Sequence, residues 1–244
     1  MIRTVITVLF VAIFLIISLP IQLILTILSK CFHANTDRFS LRFVQGAFRI
    51  VQFCSGVKLT VIGKKNIPTD RPVLYIGNHR SIFDVVTTYP CFPNPTGVIS
   101  KKSIEKVPGI SIWMRFLHCL FLDRDDMRQG LKVILSGIDQ IKSGISMCVF
   151  PEGTRNKTNE PLLPFHAGSF KLAEKTGCPI VPMALTNTAD IFENHFPWLH
   201  ATHVILQFGK PIETANLDKE QKKRLADEAA SQIKMLLEDN RRYL

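Results

Sequence analysis

The stretch that decides the fold reads VLYIGNHRSIFD and occupies residues 73–84. Its first five residues form a mostly apolar run of the length of a buried strand, and its polar half begins where that strand would end. In open α/β sheets, ligands bind beyond the carboxyl ends of the strands. With His79 in the turn and Asp84 in the first turn of a following helix, the carboxylate could accept from one ring nitrogen and leave the other free as a base. Taken alone, this spacing more often indicates a solvated histidine at a strand–helix junction.

Short apolar runs alternate with helical patterns along the rest of the chain. Seven runs predict strands, at 59–63, 73–77, 96–100, 119–123, 146–150, 180–185 and 204–208. The clearest helical patterns cover 125–142, 170–176 and 217–241. The first of these carries an apolar stripe that we expect to face the core, made of Met127, Leu131, Ile134, Ile138 and Ile141. Strands that alternate with helices predict an α/β domain with a largely parallel central sheet flanked by helices.

A second polar stretch, PEGTR at 151–155, directly follows another apolar run. Pro151 and Gly153 predict a tight turn at that strand end. A glycine there lets backbone N–H groups approach an anion, and the planar guanidinium of Arg155 can bind a phosphate through two hydrogen bonds. Glu152 has two possible roles besides touching a substrate, since it could hold the turn or position Arg155. The simpler alternative is an ordinary polar turn with a surface arginine.

Two further cations, Lys101 and Arg124, come directly after predicted strands. Taken singly, such residues are most often solvated surface charges. Together with Arg155 they place positive charge at three strand ends, near the predicted pair of His79 and Asp84. That combination suits a phosphorylated acceptor whose hydroxyl must lose a proton.

Residues 5–28 contain no charged side chain. The run is long enough to cross a bilayer as a helix. It is longer than the apolar part of a cleavable signal peptide, and no typical cleavage site follows it. We therefore expect an uncleaved membrane segment, which Pro20 could bend into a re-entrant one. Lys30 and three arginines up to residue 49 follow the run, and they predict that its C-terminal side faces the cytoplasm.

Residues 39–53 predict a second helix, in which apolar residues cover most of the surface and arginines interrupt it. An interfacial helix fits this mixture, and so does a helix buried against the following domain. We expect membrane-anchoring helices over 1–57, an α/β domain over 58–215, and a C-terminal amphipathic helix over 216–244 that packs on the domain.

The composition narrows the function classes. The 244 residues are 46% hydrophobic and carry a formal net charge of +10, which suits nucleic acid, an anionic membrane or a phosphorylated substrate. The basic residues are scattered and form no aromatic-lined stripe, which argues against nucleic acid. The six cysteines form no CxxC pair, and the sequence contains no HExxH, complete P-loop or GxSxG motif. We therefore expect no metal site, no NTPase chemistry and no serine nucleophile.

Four sequence blocks occur in an order that resembles the 1-acylglycerol-3-phosphate (lysophosphatidate) acyltransferase family of phospholipid synthesis. They are NHRSIFD at 78–84, SKKSI at 100–104 with FLDR at 121–124, FPEGTR at 150–155 continued by LLPFHAGSFKLA at 162–173, and VPMAL at 181–185. The resemblance covers residues 58–212 and implies a glycerolphosphate-acyltransferase-like domain preceded by a pair of N-terminal membrane helices.

The resemblance also implies a role for each candidate residue. His79 would be the general base, and Asp84 would be its partner. The phosphate site for the acceptor would be formed by Lys101, Arg124, Glu152, Gly153, Thr154 and Arg155.

The implied reaction moves a fatty acyl group from a thioester to the free sn-2 hydroxyl of 1-acylglycerol-3-phosphate and gives phosphatidic acid. The donor would be acyl-CoA or acyl carrier protein, with no cofactor and no metal. The enzyme would contact membrane lipids, at the inner membrane in a bacterium, with its catalytic domain facing the cytoplasm. Two alternatives stay open: an acyltransferase for another lysolipid, and a catalytically inactive membrane protein that binds anionic lipid.

Overall fold

The computed structural model describes residues 1–29, 31–123 and 126–244, so Lys30, Arg124 and Asp125 lie outside the described residues. The helices are α1 Ile2–Leu28, α2 His33–Ser55, α3 Phe83–Thr88, α4 Ile110–Phe116, α5 Met127–Lys142, α6 Lys171–Thr176 and α7 Lys219–Asn240. The strands are β1 Lys58–Ile62, β2 Leu74–Gly77, β3 Thr96–Lys101, β4 Leu120–Leu122, β5 Ser146–Val149, β6 Ile180–Thr186 and β7 His203–Phe208. Each predicted strand is present, with its ends within one residue of the expected positions.

The seven strands form one sheet in the order β1-β7-β6-β2-β5-β3-β4. All neighbouring pairs are parallel except β6 and β7, which run antiparallel. Alternate side chains of β2 enter two different cores. Tyr75 packs on one face with residues of α2 and α4, while Leu74 and Ile76 pack on the other face with residues of α5, α6 and α7. The predicted α/β class with a largely parallel sheet is therefore confirmed.

The connections of β2 and β5 place a crevice in the middle of the sheet. From β2 the chain passes through α3 to β3, which lies beyond β5, and from β5 it passes through α6 to β6, which lies beyond β2. The two connections thus leave adjacent parallel strands in opposite directions. At such a topological switch point the loops separate and leave space for a ligand.

The predicted apolar stripe of α5 is wrong at the N-terminal end of the helix. Met127 is 89% exposed and Leu131 is 62% exposed, whereas Ile138 and Ile141 are buried. Gly130, near the start of the helix, lies beside Leu122 of β4. Because β4 is the last strand of the sheet, no further strand covers the N-terminal end of the helix. Asp126 lies before the first turn of the helix and accepts from two backbone N–H groups as the N-cap.

Polar side chains hold helix α1 against the domain. Trp113 in α4 donates its indole N–H to Ser18 Oγ at 3.0 Å, and Gln22 Nε2 donates to the carbonyl of Gly109 at 3.0 Å. Near the start of the helix, Thr4 Oγ1 accepts from the backbone N–H of Leu199 at 2.8 Å. Phe14 and Ile21 also pack against the core, while many other apolar side chains of the helix are exposed. Within the described ranges, α1 is the one helix long and apolar enough to cross a membrane, judged by length and composition.

Helix α2 has both of the characters that its sequence left open. One side is buried in the domain core through Leu41 and Val44, while Phe39 and Phe53 on another side are exposed. Three of its polar side chains donate to main-chain carbonyls in or just after α3: Gln45 to Tyr89 and Phe92, Arg49 to Pro90, and Gln52 to Val86. The helix therefore braces the segment that carries Asp84.

The domain boundaries proposed at residues 57 and 215 stay predictions.

Candidate active site

The histidine and aspartate of the first polar stretch meet as their spacing predicted. His79 lies in the turn after β2, and its Nδ1 donates to Asp84 Oδ2 at 2.7 Å, from the second residue of α3. The imidazole also stacks on the ring of Phe150, with centroids 4.6 Å apart. The ring is thus held by its Nδ1 and by its face, which leaves Nε2 as the nitrogen that can take a proton.

The carboxylate of Asp84 also shapes the loop around the histidine. Its Oδ2 accepts from the backbone N–H groups of Arg80 at 2.7 Å and Ser81 at 2.8 Å, in addition to the imidazole. The side chain is fully buried. Because one oxygen collects three donors, the orientation of the ring and the course of residues 79–84 depend on the same group.

Glu152 connects the two polar stretches through the backbone. Its Oε1 accepts from the N–H of His79 at 2.7 Å, and its Oε2 accepts from the N–H of Leu163 at 2.9 Å. Burial raises the pKa of this carboxyl group, and the two amide donors act in the opposite direction. In a second link, the N–H of Asn156 donates to the carbonyl of His79 at 2.7 Å. Both oxygens of Glu152 are therefore engaged in holding loops together.

The turn after β5 has the geometry that its glycine implied. Gly153 has φ of +68°, in the left-handed region, and its N–H donates to the carbonyl of Phe150 at 3.0 Å. A Cβ at this position would approach the ring of His166 to 2.9 Å. Thr154 is exposed and Arg155 is partly exposed. The turn thus presents its outer residues to solvent while Glu152 points inward.

Arg155 has a partner that sequence reasoning missed. Its Nη1 forms a 2.8 Å ion pair with Glu193 Oε1, from the loop between β6 and β7. The same carboxylate accepts from Ser81 Oγ at 2.5 Å and from the backbone N–H of Ile82 at 2.9 Å. Glu193 lies outside the four sequence blocks, and its own short helical turn carries no pattern that would mark it.

Two further predicted cations lie at or just after the ends of β3 and β4 in the sequence. Lys101 is the last residue of β3, with an exposed side chain, and Arg124 lies outside the described residues. The adjacent Lys102 pairs with Asp123 at 3.2 Å. Among the candidates, the geometry brings together His79, Asp84 and Glu152 with the Gly153–Arg155 turn. Over the described ranges, no group of three or more histidine, cysteine, aspartate or glutamate side chains could hold a metal ion.

Comparison with known proteins gives this chain a family. A family model described as acyltransferase matches residues 58–186, more than half of the chain. The chain therefore belongs to the acyltransferase family, as its four sequence blocks predicted.

Individual relatives agree with the family. The 1-acyl-sn-glycerol-3-phosphate acyltransferase of Saccharomyces cerevisiae is 30% identical over 188 residues, which are 76% of this chain and 62% of that protein. The protein of the same name from Borreliella burgdorferi is 28% identical over 201 residues, 82% of this chain and 80% of its own length. The match thus spans less than two thirds of the yeast protein.

The fold also has a solved counterpart. The crystal structure of the 1-acyl-sn-glycerophosphate acyltransferase from Thermotoga maritima matches with a TM-score of 0.72 and 22% identity. The match covers 93% of this chain and 97% of the Thermotoga chain. The similarity therefore includes the N-terminal helices as well as the sheet.

Proposed function

We propose that this protein transfers a fatty acyl group from a thioester donor to the sn-2 hydroxyl of 1-acylglycerol-3-phosphate and so produces phosphatidic acid. This acceptor is the one in the names of the yeast and Borreliella relatives. The observation that carries the proposal is the 2.7 Å hydrogen bond from His79 Nδ1 to Asp84 Oδ2, because it leaves Nε2 available next to a basic turn.

In the proposed reaction, His79 Nε2 takes the proton of the acceptor hydroxyl while the hydroxyl oxygen attacks the thioester carbonyl carbon. A new C–O bond forms, the C–S bond then breaks, and the imidazolium gives its proton to the departing thiolate. Asp84 keeps the proton on Nδ1 and stabilises the imidazolium, as the aspartate does in a serine protease triad. Transfer is direct and needs no acyl-enzyme.

The acceptor phosphate would bind to the cations at the strand ends. Arg155 is the central candidate, since it is partly exposed and Glu193 holds its guanidinium in place. Lys101 and Arg124 would extend the site, Gly153 would give the turn its shape, and the Thr154 backbone would contribute an N–H donor. Glu152 would act as a positioning residue, because both of its oxygens accept from backbone amides.

The protein would work at a membrane, since its acceptor is a lipid. The exposed apolar surface of α1 supports this location. Because α1 is bonded to the domain at Thr4, Ser18 and Gln22, the contacts favour a helix that lies along the domain at the interface over an isolated span. We place the catalytic domain on the cytoplasmic side, at the inner membrane if the source is bacterial.

An acyl-transfer assay on the purified protein tests the proposal. The acceptors would be 1-acylglycerol-3-phosphate and lysolipids with other headgroups, and the donors would be acyl-CoA and acyl carrier protein. We expect the fastest transfer to 1-acylglycerol-3-phosphate. Faster transfer to another lysolipid would mean that the proposed acceptor is wrong. Binding to vesicles without transfer from either donor would favour the inactive lipid-binding alternative.

A further inference from the structure

A large cavity with both polar and apolar walls lies beside the His79 loop, on the β6 side of the crevice. Its volume is about 970 Å³, and Asn78 and Arg80, the two neighbours of His79, both line it. The other walls are the loops at 155–159 and 185–196 and the C-terminal end of α7 near Arg241. We call this space the carrier cavity. Its volume is at the upper end of the range of small-molecule sites.

The carrier cavity is lined by four cationic side chains: Arg80, Arg155, Lys157 and Arg241. Lys157 and Arg241 are exposed, and Arg80 donates to the carbonyl of Thr158. Two acidic residues also line the cavity. Glu193 is paired with Arg155, and Asp190 Oδ1 accepts from Asn194 at 2.7 Å. Positive charge is therefore in excess around the cavity, which favours a ligand with several negative charges.

An aromatic surface accompanies these charges. Phe192 and Phe196 line the same cavity and pack edge to face, with centroids 5.4 Å apart. Phe196 is 74% exposed, so its ring is available for stacking. Aromatic rings that lie among basic side chains suit a nucleobase attached to phosphates.

The cavity and Lys101, a candidate for the acceptor phosphate site, lie on opposite sides of β2 in the sheet. Lys101 ends β3, whereas the loop at 185–196 follows β6, and β2 with β5 separates these strands in the sheet. Arg155 lies between the cavity and the proposed phosphate site, whereas Lys157 and Arg241 belong to the cavity only. The two substrates could thus approach His79 from different sides.

Building on the proposed function, we propose that the carrier cavity binds the coenzyme A part of an acyl-CoA donor. The diphosphate and the 3′-phosphate would contact the cations, and the adenine would stack on the Phe192–Phe196 pair. Coenzyme A fits this set better than the single phosphodiester of acyl carrier protein does, because several cations and an aromatic surface line one cavity. The thioester would then extend past Asn78 toward His79.

Equilibrium binding of free coenzyme A to the full-length protein tests the assignment without any catalytic step. The test variant is Lys157→Glu/Arg241→Glu. The matched control is Lys142→Glu/Lys234→Glu, which changes the net charge equally at exposed positions outside the cavity. We expect the test variant to raise the Kd by roughly tenfold or more, since it replaces two attractions with repulsions, and the control to change it by less than about twofold. Coenzyme A lacking the 3′-phosphate should bind more weakly than intact coenzyme A.

Equal affinities of the two variants for coenzyme A would overturn the assignment, and so would binding and use of acyl carrier protein without measurable binding of coenzyme A. Steady-state kinetics give a second readout, in which the test variant should raise the KM for acyl-CoA more than the KM for the lysolipid. If coenzyme A binds as expected but no lysolipid is acylated, the proposed function fails while the cavity assignment stands.

Discussion

Arg155 and Glu193 join the loops that follow β5 and β6 through a 2.8 Å ion pair. Because the same carboxylate accepts from Ser81 and from the N–H of Ile82, one side chain links the basic turn to the loop of the proposed base. Arg155 is thus oriented before any acceptor phosphate arrives, which lowers the entropy lost on binding.

Removing Arg155 should weaken binding of a phosphorylated acceptor. We expect Arg155→Ala to raise the apparent KM for this acceptor by roughly 10- to 150-fold, which corresponds to the loss of one charge-assisted hydrogen bond. Arg155→Lys should recover only part of this loss, since lysine lacks the planar guanidinium group that can form two parallel hydrogen bonds. Glu193→Gln should raise the same KM less, and the two changes combined should not be additive. Kinetics with a lysolipid lacking phosphate serve as the control. Equal losses with that acceptor would mean that Arg155 only holds the turn.

Removing the proposed base should affect turnover more than binding. We expect His79→Ala to lower kcat by roughly 10²- to 10⁴-fold, the range of general-base catalysis, with little change in acceptor affinity. Asp84→Asn should lower kcat comparably or less. It should also lower stability by about 1–3 kcal/mol, because the three donors that share Oδ2 would then meet an uncharged, weaker acceptor. Single-turnover rates and thermal unfolding separate the two effects. Wild-type turnover in His79→Ala would refute the mechanism.

A side chain at Gly153 should distort the basic turn. The residue has φ of +68°, and a Cβ would lie 2.9 Å from His166, so we expect Gly153→Ala to cost about 1–2 kcal/mol of stability from strain and to reduce activity. Gly168→Ala is a matched control, because its Cβ would meet nothing within 4 Å. His166→Ala in the Gly153→Ala background removes the clash and leaves the strain. Unchanged melting temperature and activity in Gly153→Ala would contradict this account.

The exposed side of α1 should control attachment to lipid. Ile16 is 67% exposed and Leu23 is 66% exposed, so Ile16→Glu/Leu23→Glu should remove apolar contact with a bilayer while the domain stays folded. Each lost apolar side chain is worth about 1.5–3 kcal/mol, and we expect at least a roughly hundredfold drop in vesicle partitioning for the pair. Leu131→Glu/Met235→Glu, at exposed apolar positions on α5 and α7, is the control. Equal sedimentation of both proteins with vesicles would exclude α1 as the anchor.

The cysteines should react according to their burial. Burial raises the pKa of Cys119 to about 12 and that of Cys148 further. Because the thiolate is the reactive form, these thiols should stay unlabelled from pH 7 to 9 and react only after unfolding. Cys31 is exposed and should be labelled first in the native protein. Mass spectrometry after a maleimide pulse, with and without guanidinium, checks the order. Rapid native labelling of Cys148 would contradict the buried assignment.

Local patterns predicted most of the fold and the central pair of the site. Each strand is a short, mostly apolar run bounded by turn residues, so neighbouring residues are enough to predict where it begins and ends. His79 and Asp84 are five positions apart, and the strand–turn–helix geometry between them is enough to bring their side chains together. The tight turn at Gly153 could likewise be predicted from the residues of the turn itself.

Contacts between distant segments escaped the same reasoning. Ser81 and Glu193 are 112 positions apart, and no periodicity links them. Ser18 and Gln22 interrupt an apolar run without any sign that Trp113 and Gly109 would be their partners. The stripe of α5 failed at the N-terminal end of the helix for a related reason, since periodicity defines the side of a helix but not where the neighbouring sheet ends.

Because α1 is bonded to the domain, the membrane anchor that we propose is a fixed part of the fold. The helix is hydrogen-bonded to the domain at Thr4 and again at Gln22, and the helical rise over these 18 positions is about 27 Å. Two attachment points this far apart leave the domain little freedom to move relative to the helix, unlike a domain that is joined to its anchor by a flexible linker. In the membrane-bound state that we propose, the height of His79 above the lipid surface is therefore set by the fold, and a lysolipid needs to rise by the same distance on every encounter.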